Sequence, residues 1–270
     1  MTFLNTAVSR VCSSLKHLCQ FEESKESVYQ GTSKISFLTT PSHGLSVSID
    51  TKRLHIRSVK STEAEYIRYA KLFGDADVMR KYATGQTKSK EDMQKRIQKS
   101  WVPRWESKDP YSGLAVFKKE DGEFLGHIVL GHGDHPGESE VAYIFHKQFW
   151  GQGYGGEAVS ALIQEYAPAT IREGYLLDGK PLERIVTTVR PDNPASIRIA
   201  QKVGMIFVVS EEKYGAERHH YIIDLPQSGE RTLEKTEFTT LSFLGKQAAR
   251  VSNLFQSCFN FLQEQRKKFQ

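Results

Sequence analysis

The sequence predicts a mixed fold of the α+β class, and the prediction starts from one strand, one glycine-rich loop and one helix that follow each other directly. The strand is predicted over residues 140–145, and the loop reads FWGQGYGGEA over residues 149–158 with four glycines. After the loop, apolar residues recur at helical spacing, at Ala158, Val159, Leu162, Ile163 and Tyr166. Glycines let successive backbone N–H groups point to one place, and a helix start adds positive potential there. The segment is therefore typical of a loop that binds phosphate or pyrophosphate.

Two common phosphate-binding loops differ from this one to different degrees. The P-loop needs Lys followed by Ser or Thr after its last glycine, whereas Glu157 and Ala158 follow Gly156 here. The dinucleotide fingerprint Gly-x-Gly-x-x-Gly is satisfied by Gly151, Gly153 and Gly156. That fingerprint normally opens its domain, but a long stretch of chain precedes this loop and no clean run of βαβ units follows it. A nicotinamide-dependent oxidoreductase and a purely structural glycine turn stay open as minor alternatives.

Three motifs in the same order resemble those of the GNAT acetyltransferases, in particular the branch of ribosomal-protein N-terminal acetyltransferases (RimJ/RimL type). The loop matches Trp-Gly-x-Gly-Tyr-x-x-Glu-Ala over residues 150–158. Residues 193–204 match Asn-x-x-Ser-x-x-x-x-x-Lys-x-Gly, and residues 53–57 match Arg-Leu-x-x-Arg. Two positions depart from the patterns: Met205 stands where the branch usually has Phe, and Trp150 stands where the broader loop pattern begins with Gln or Arg.

The resemblance spans residues 52–225 and implies the GNAT fold, which has a central, mostly antiparallel, twisted sheet that is flanked by helices and splayed at the cofactor strand. In that family the backbone of the splayed strand binds the pantetheine arm of acetyl-CoA, and the loop amides bind its pyrophosphate. The residues that the resemblance assigns to acetyl-CoA are Phe145, Gly151, Gln152, Gly153, Tyr154, Gly155, Gly156 and Asn193. Acetyl-CoA is thus the expected co-substrate, and no metal is expected.

GNAT enzymes transfer acetyl directly to an amine, so the resemblance implies a base for the amine and an acid for the thiol leaving group. Glu140 is the predicted base, directly or through a water, because its carboxylate lies on the cofactor strand. A purely structural role for Glu140 and a base at Glu217 are the alternatives. Ser196 is the predicted acid, with helix capping as its alternative role. The tyrosine that other GNAT enzymes use aligns with Ala200 and is missing.

The predicted function is therefore an acetyl-CoA-dependent N-acetyltransferase that acts on a primary amine. Reference pKa values near 7.7–8.0 for an α-amine and near 10.4 for lysine make the neutral lysine harder to obtain by about 3.5 kcal/mol. A site with a single candidate carboxylate favours the weaker base, which is a protein or peptide α-amine. Small-molecule amines, such as polyamines and aminoglycosides, are one alternative. A non-catalytic module that binds acyl-CoA and a protein partner is another.

Composition and charge are those of an ordinary soluble globular protein. Of 270 residues, 39% are hydrophobic and 26% are charged, and the formal net charge is +5. No apolar run approaches the roughly 18 residues that a membrane span needs, and no aromatic-plus-basic motif predicts direct binding of nucleic acid. The cysteines, Cys12, Cys19 and Cys258, lie outside the motifs and lack metal-ligand spacing. This distribution suits a reducing compartment and predicts a cytoplasmic location.

The first predicted segment, residues 1–51, consists of an amphipathic helix and a linker. Its apolar residues alternate at spacings of four and three, at Leu4, Val8, Val11, Leu15 and Leu18. A docking helix is favoured, and an organellar transit peptide is the alternative because acidic residues are absent before Glu22. Residues 22–50 are rich in Ser, Thr and Gly, so a linker is predicted there, with one short strand at 35–38.

Residues 52–226 form the predicted GNAT domain, and periodicity predicts its elements in order. Strands are predicted at 53–59, 112–118, 124–130, 140–145, 184–189, 207–209 and 220–224, and helices at 62–73, 88–105, after the glycine loop and at 196–203. Ser89 and Asp92 have capping-box spacing, and the helix after the loop is expected to be interrupted near Pro168. Trp101 and Trp105 either belong to the core or line the acceptor groove. The histidines have spacings that fit no dedicated metal site, at His127, His132 and His135.

The last predicted segment, residues 227–270, contains a C-terminal amphipathic helix. A three-four alternation of apolar residues runs through Leu241, Leu244, Ala248, Val251, Phe255, Cys258 and Leu262. Because the N-terminal helix has the same period, the two terminal helices are predicted to pack together, on the domain or across a dimer, or to dock a partner. Association of the basic C-terminal end with a membrane surface is the alternative.

Overall fold

The computed structural model describes residues 23–226 and 234–241. The strands in these ranges are β1 (Glu23–Gln30), β2 (Lys34–Thr40), β3 (Gly44–Asp50), β4 (Leu54–Ser58), β5 (Gly113–Lys118), β6 (Phe124–His132), β7 (Glu138–Phe145), β8 (Leu176–Leu177), β9 (Lys180–Pro181), β10 (Arg184–Val189), β11 (Ile206–Lys213), β12 (Ala216–Asp224) and β13 (Glu234–Leu241). The α-helices are α1 (Glu63–Phe73), α2 (Ala76–Met79), α3 (Lys90–Arg96), α4 (Val102–Glu106), α5 (Tyr154–Ala161), α6 (Ala167–Arg172) and α7 (Pro194–Lys202). Within these ranges, none of the helices is both long and apolar enough to span a membrane.

The chain divides into two compact units, and the larger one, which comprises Ser27–Thr39 and His43–Glu237, contains the candidate site described below. The main sheet has the strand order β11-β12-β10-β7-β6-β5-β4-β3-β2-β1-β13, and β8 pairs with β9 in a separate hairpin. The pairs with a described register are antiparallel, apart from the parallel pair of β7 and β10. The predicted α+β class with a mostly antiparallel sheet is confirmed.

The sheet opens between β7 and β10, as predicted for the cofactor strand. Their parallel pairing covers only the start of each strand, at Arg184 with Glu138, Ile185 with Ser139 and Val186 with Glu140. Each strand nevertheless continues to pair with its other neighbour: β7 with β6 as far as Phe145, and β10 with β12 as far as Val189. The two strands therefore diverge just after Glu140, and among the described residues no strand pairs with that edge of β7 beyond this point.

Helices cover the sheet on both faces. Successive residues of a strand point to opposite faces, so one strand contributes side chains to two cores. In β5, Leu114 and Val116 enter the core that also contains residues of α5 and α6. The intervening Ala115 and Phe117 enter a second core with residues of α1 and α3. Trp101 and Trp105 are each only 3% exposed, so both belong to the core and neither lines an open groove.

Most predicted elements between residues 53 and 224 are present, and their ends follow local chemistry. The Thr62 side chain caps α1, and Ser89 and Asp92 form the predicted capping box of α3. The helical run after the loop continues through Pro168, which stands at the start of α6 after a π-helical turn over Leu162–Tyr166. A proline is tolerated there because its missing N–H falls in the first helical turn. A second π-helical turn, Ile97–Trp101, likewise precedes a proline in α4.

The predicted linker over residues 22–50 is wrong, because residues 23–50 contain β1, β2 and β3. The short strand predicted at 35–38 is confirmed as part of β2. Turns of three residues join strands that are neighbours in the sheet, which is possible only for antiparallel pairs. Alternate residues are buried, among them Ile35, Phe37, Leu45, Val47 and Ile49. The residues that alternate with them are Ser36, Ser46 and Ser48, which occupy the less buried face of the strands. The Phe37 ring of β2 stacks on the Tyr166 ring, with centroids 5.6 Å apart. This contact packs the N-terminal strands against the helices that cover the sheet.

The C-terminal segment also departs in part from the predicted helix over residues 227–270. Residues 234–241 form β13, which lies next to β1 in the sheet, and Lys235 Nζ lies 3.0 Å from Glu173 Oε1. The Thr-rich sequence EKTEFTTL favours an extended strand over a helix. The predicted N-terminal helix and the rest of the predicted C-terminal helix lie outside the described residues, as do the three cysteines.

Candidate active site

The glycine-rich loop lies at the mouth of the opening between β7 and β10. Gly151 and Gly153 have φ angles of 74° and 81°, a left-handed conformation that glycine adopts without steric cost. Gly153 caps α5, and its carbonyl accepts the hydrogen bond from the Glu157 N–H at 3.1 Å. The N–H groups of the first turn of a helix have no partner within the helix. Those of Tyr154, Gly155 and Gly156 are therefore available to an anion.

The space around each glycine shows which side of the loop is open. A Cβ on Gly151 or on Gly156 would meet no described atom within 4 Å, whereas a Cβ on Gly155 would lie 3.3 Å from Ile199 Cδ1 and 3.6 Å from the Phe145 ring. Gly155 is thus packed between the end of β7 and α7, whereas Gly151 and Gly156 face free space. A helix start with an open glycine surface fits the pyrophosphate of a CoA thioester.

Glu157 holds the loop to β3 and β4 through an ionised carboxylate. Its Oε1 accepts hydrogen bonds from Thr51 Oγ1 at 2.6 Å and from the Arg53 N–H at 2.9 Å, and its Oε2 accepts one from Arg53 Nε at 2.6 Å. Burial alone would raise the pKa of Glu157, but these hydrogen bonds outweigh it and lower the pKa. The same arginine donates to the Gln152 carbonyl at 3.0 Å and lies over the Tyr154 ring. Arg53 and Glu157 therefore fix the shape of the loop.

Two other residues predicted to bind acetyl-CoA, Phe145 and Gln152, form hydrogen bonds with neighbouring residues. The Phe145 carbonyl accepts a hydrogen bond from Trp150 Nε1 at 2.8 Å, and the Phe145 side chain is 7% exposed. The Gln152 side chain turns back to donate to the Gln148 carbonyl at 2.8 Å. Phe145 therefore contributes mainly an apolar wall behind Gly155, and Gln152 contributes its backbone to the loop.

Asn193 and Ser196 lie at the start of α7. Asn193 Oδ1 accepts a hydrogen bond from the Ser196 N–H at 3.3 Å, so Asn193 is the helix cap. The capping role considered for Ser196 thus belongs to Asn193. Tyr143 Oη donates to the Ser196 carbonyl oxygen at 3.5 Å, and the Tyr143 phenol also hydrogen-bonds with the Ser196 side chain. Burial raises the pKa of Tyr143 to about 12, which keeps this phenol neutral near β7.

Glu140 lies at the point where β7 and β10 separate, and its carboxylate is partly buried. Lys213 Nζ is 3.9 Å from its Oε2. Burial is the largest influence and raises the pKa of Glu140; the charge of Lys213 opposes the shift, and that of Asp134 reinforces it. A carboxylate with a raised proton affinity is suited to accept a proton near neutral pH.

Glu217, the alternative base, is exposed on β12 opposite Glu212. Its neighbour in sequence, Arg218, is buried and influences Glu140. Because adjacent strand residues point to opposite faces, Glu217 points away from Glu140. The structure therefore brings Glu140, but not Glu217, to the opening.

Sequence reasoning missed three side chains around Glu140: Lys213, Arg218 and Tyr82. Lys213 and Arg218 flank the turn between β11 and β12, and Tyr82 follows α2. Their only signal in the sequence is a pair of basic residues near a predicted hairpin, and such pairs are common on protein surfaces.

The histidines have structural environments. His127 is fully buried, stacks on Trp101 with centroids 4.3 Å apart and bonds through Nδ1 to Tyr69 Oη at 2.9 Å. Burial lowers the pKa of His127 to about 3, so it is neutral. His132 lies between Asp109 and Asp178, at 2.7 and 3.0 Å. Across the residues that the structure describes, no three His, Cys, Asp or Glu side chains are arranged to hold a metal ion.

A mostly antiparallel sheet that opens beside a glycine-rich helix start is the architecture of the GNAT acyltransferases. The family model described as acetyltransferase (GNAT) domain matches residues 53–206. The chain therefore belongs to the GNAT acetyltransferase family, and its enzyme class is that of the N-acetyltransferases.

The chain is also similar to individual known proteins. The chain is 27% identical over 169 residues to the uncharacterized protein YkkB of Bacillus subtilis, covering 61% of this chain and 88% of YkkB. Among solved structures, it is similar to RimL, a ribosomal L7/L12 alpha-N-protein acetyltransferase in complex with coenzyme A, with a TM-score of 0.53, 17% identity and coverage of 66% and 97%. It is also similar to an acetyl transferase from Salmonella typhimurium that modifies the N-terminal serine of ribosomal protein L7/L12, with a TM-score of 0.51, 19% identity and coverage of 65% and 97%. The two structural similarities show a shared fold.

Proposed function

We propose that the protein uses acetyl-CoA to acetylate a primary amine directly, and that the amine is a protein or peptide N-terminus. The observation that carries the proposal is the position of Glu140. A partly buried carboxylate with a raised pKa lies where β7 leaves β10, on the same strand that leads into the glycine-rich loop. An amine acetyltransferase needs a base at this place, beside the reacting thioester.

Acetyl-CoA, when bound, supplies an activated acetyl group as a thioester. The N–H groups at the start of α5 bind its pyrophosphate, and the free edge of β7 beyond Glu140 offers backbone groups to the pantetheine arm. Glu140 accepts the proton of the amine, directly or through a water. The Ser196 hydroxyl donates a proton to the departing thiolate, and the Asn193 side chain, whose amide nitrogen is not used in capping, holds the cofactor arm.

The acceptor follows from how much deprotonation the site must provide. An α-amine is neutral in roughly a tenth of molecules at pH 7, whereas a lysine side chain is neutral in only about 1 in 2,500. The Glu140 carboxylate is partly buried where β7 and β10 separate, and Lys213 next to it disfavours a second cation. This arrangement favours an amine that is already partly neutral. The same acceptor class is supported by RimL, an alpha-N-protein acetyltransferase, and by the Salmonella structural neighbour, which modifies an N-terminal serine.

The test is release of CoA thiol by the purified protein with matched acceptors. One peptide has a free N-terminus and no lysine, and its partner has a blocked N-terminus and one internal lysine. We expect release with the first and at least about tenfold slower release with the second. Release only with spermidine or kanamycin would establish the small-molecule alternative. Binding of acetyl-CoA in calorimetry, without release for any amine, would indicate a non-catalytic module. Cytoplasmic location and docking through the terminal segments stay parts of the proposal, to be tested by fractionation and by the mass of the protein in solution.

A further inference from the structure

Two cationic side chains hold the turn that follows α2, residues 80–85: Arg218 of β12 and Lys81 of the turn itself. Arg218 is 3% exposed on β12, and its guanidinium donates to the Ala83 carbonyl in this turn. On the other side, Lys81 Nζ donates to the Asp192 carbonyl, directly before the Asn193 cap of α7. The turn therefore connects the β12 side of the site with the start of α7.

Arg218 also fixes the turn between β11 and β12. Its Nε donates to the Lys213 carbonyl at 3.2 Å, and its guanidinium lies 5.1 Å from the centroid of the Tyr214 ring. Lys213, the last residue of β11, lowers the pKa of Glu140, and the charge of Glu140 raises the pKa of Tyr214 in this turn. A single buried guanidinium thus links two separate turns.

Both turns have backbone conformations that the surroundings must maintain. Ala83 has φ 44° and Tyr214 has φ 58°, in the left-handed region that residues other than glycine rarely adopt. Such conformations persist when neighbouring contacts over-determine them. The guanidinium contacts one of these residues through its carbonyl and the other through its ring. Loss of Arg218 therefore removes a restraint from each turn.

We propose that Arg218 is a positioning residue that builds the acceptor side of the site, by holding the turn at residues 80–85 and the β11–β12 turn against Glu140. The inference rests on the proposed function in so far as Glu140 is the base. The planar guanidinium satisfies two carbonyls in a fixed geometry, which a lysine ammonium cannot reproduce. Arg218 has no contact with the glycine-rich loop among the described residues, so its effect concerns the amine and not acetyl-CoA.

The charge of Arg218 adds a second, separable effect. The charged or titratable groups around Glu140 are Lys213 from β11, Arg218 and His220 from β12, Asp134 from the β6–β7 loop, Tyr214 from the β11–β12 turn and Tyr82 from the turn after α2. The positive charge of Arg218 lowers the pKa of Glu140. Removing that charge raises the pKa, so the pH below which the base is protonated and activity is lost moves upward. A neutral substitution changes both geometry and charge, whereas lysine retains the charge.

The experiment compares Arg218→Met, Arg218→Lys and a control, Arg184→Met. Arg184 is an exposed arginine of β10 that pairs with Asp224. For Arg218→Met we expect the KM for the peptide amine to rise about tenfold or more, because two charge-assisted hydrogen bonds are lost. We expect the acid limb of the pH profile to move to higher pH and the KM for acetyl-CoA to stay unchanged. Arg218→Lys raises the KM for the amine but leaves the acid limb in place, and Arg184→Met changes neither.

Hydrogen exchange of the protein without substrates gives a readout that does not depend on activity. We expect the amides of residues 80–86 to exchange faster in both Arg218 variants than in the parent and in Arg184→Met. The proposal would be overturned if exchange in this segment were the same in the Arg218 variants as in the parent. It would also be overturned if Arg218→Met left both the KM for the amine and the pH profile unchanged. If Arg218→Met does not fold, exchange in Arg218→Lys decides. If the parent protein acetylates no amine, the proposed function fails, and exchange still decides whether Arg218 holds the turn.

Discussion

Two glutamates of the candidate site, Glu157 behind the glycine-rich loop and Glu140 where β7 and β10 separate, differ in the number of hydrogen-bond donors that reach them. The Glu157 carboxylate accepts three hydrogen bonds from Thr51 and Arg53, and its pKa is lowered. For Glu140 the nearest cation is Lys213 at 3.9 Å, and burial raises its pKa. A carboxylate surrounded by donors is a permanent anion that holds structure, whereas one that is buried with few donors retains affinity for a proton. Glu157 therefore maintains the shape of the glycine-rich loop, whereas Glu140 is suited to proton transfer.

The largest effect is expected for the carboxylate that transfers the proton. Glu140→Gln keeps the size of the side chain and removes the base, so kcat should fall by about 10²- to 10⁴-fold. The measurement is the initial rate of thiol release with a peptide amine across pH. In the parent protein the acid limb should lie above the ordinary glutamate value of 4.5, because the pKa is raised.

The control for this prediction is Glu217→Gln. Glu217 is exposed on the opposite face of β12, so its substitution should leave the rate and the acid limb unchanged. Equal losses in the two variants, or no loss in Glu140→Gln, would contradict the assignment of the base and leave Glu140 a structural residue of the strand.

A smaller effect, of a different kind, is expected on the side of Glu157. Arg53→Met removes the ion pair with Glu157 and the hydrogen bond to the Gln152 carbonyl, so the loop loses part of its restraint. We expect binding of acetyl-CoA in calorimetry to weaken about tenfold, the size of one charge-assisted hydrogen bond. The acid limb should stay in place, because Glu157 does not take part in proton transfer.

The matched control is Lys52→Met, which removes an exposed charge next to Arg53 in the sequence. Equal weakening in both variants would show that net positive charge near the loop, and not the restraint by Arg53, determines affinity for acetyl-CoA. A shift of the acid limb in Arg53→Met would break the comparison between the two glutamates.

The two sides of the opening also differ in how far the sequence could predict them. The loop side is local: its strand, glycines and helix start are contiguous, and the partner of Glu157 lies in the short motif at residues 53–57. Glycine spacing and periodicity carry the necessary information for such a segment. The fold class, the splayed strand and the open glycine surface were therefore predictable.

The Glu140 side is assembled from distant parts of the chain. Arg218 meets Ala83 across 135 positions, and the pairing depends on the sheet order β12-β10-β7. Periodicity in one sequence gives no pairing between remote segments. Residues 22–50 were misinterpreted for a related reason: Ser and Thr indicate a linker by composition, and only burial of alternate residues against the helical layer shows them to be strands.

The smallest effect is expected at Ser196, which lies between the two sides at the start of α7. A thiol has a reference pKa near 8.5, so a thiolate is a far better leaving group than an amine and needs little assistance from an acid. Ser196→Ala should therefore lower kcat by less than about tenfold, the lower end for acid catalysis. The loss should shrink as the pH rises above that value, where an unprotonated thiolate departs readily.

A comparison with Asn193, the cap of α7, separates a chemical role of Ser196 from a structural one. Asn193→Ala removes the side-chain cap of α7 and should cost about 1 kcal/mol of unfolding free energy. Ser196→Ala retains the backbone N–H that the cap accepts and should leave the unfolding free energy nearly unchanged, as measured by urea denaturation. If Ser196→Ala destabilises as much as Asn193→Ala and its rate loss is independent of pH, the hydroxyl is part of the helix start. Proton donation to the leaving group then belongs to another donor, and Tyr143, whose neutral phenol contacts the Ser196 carbonyl, is the first to substitute with Phe.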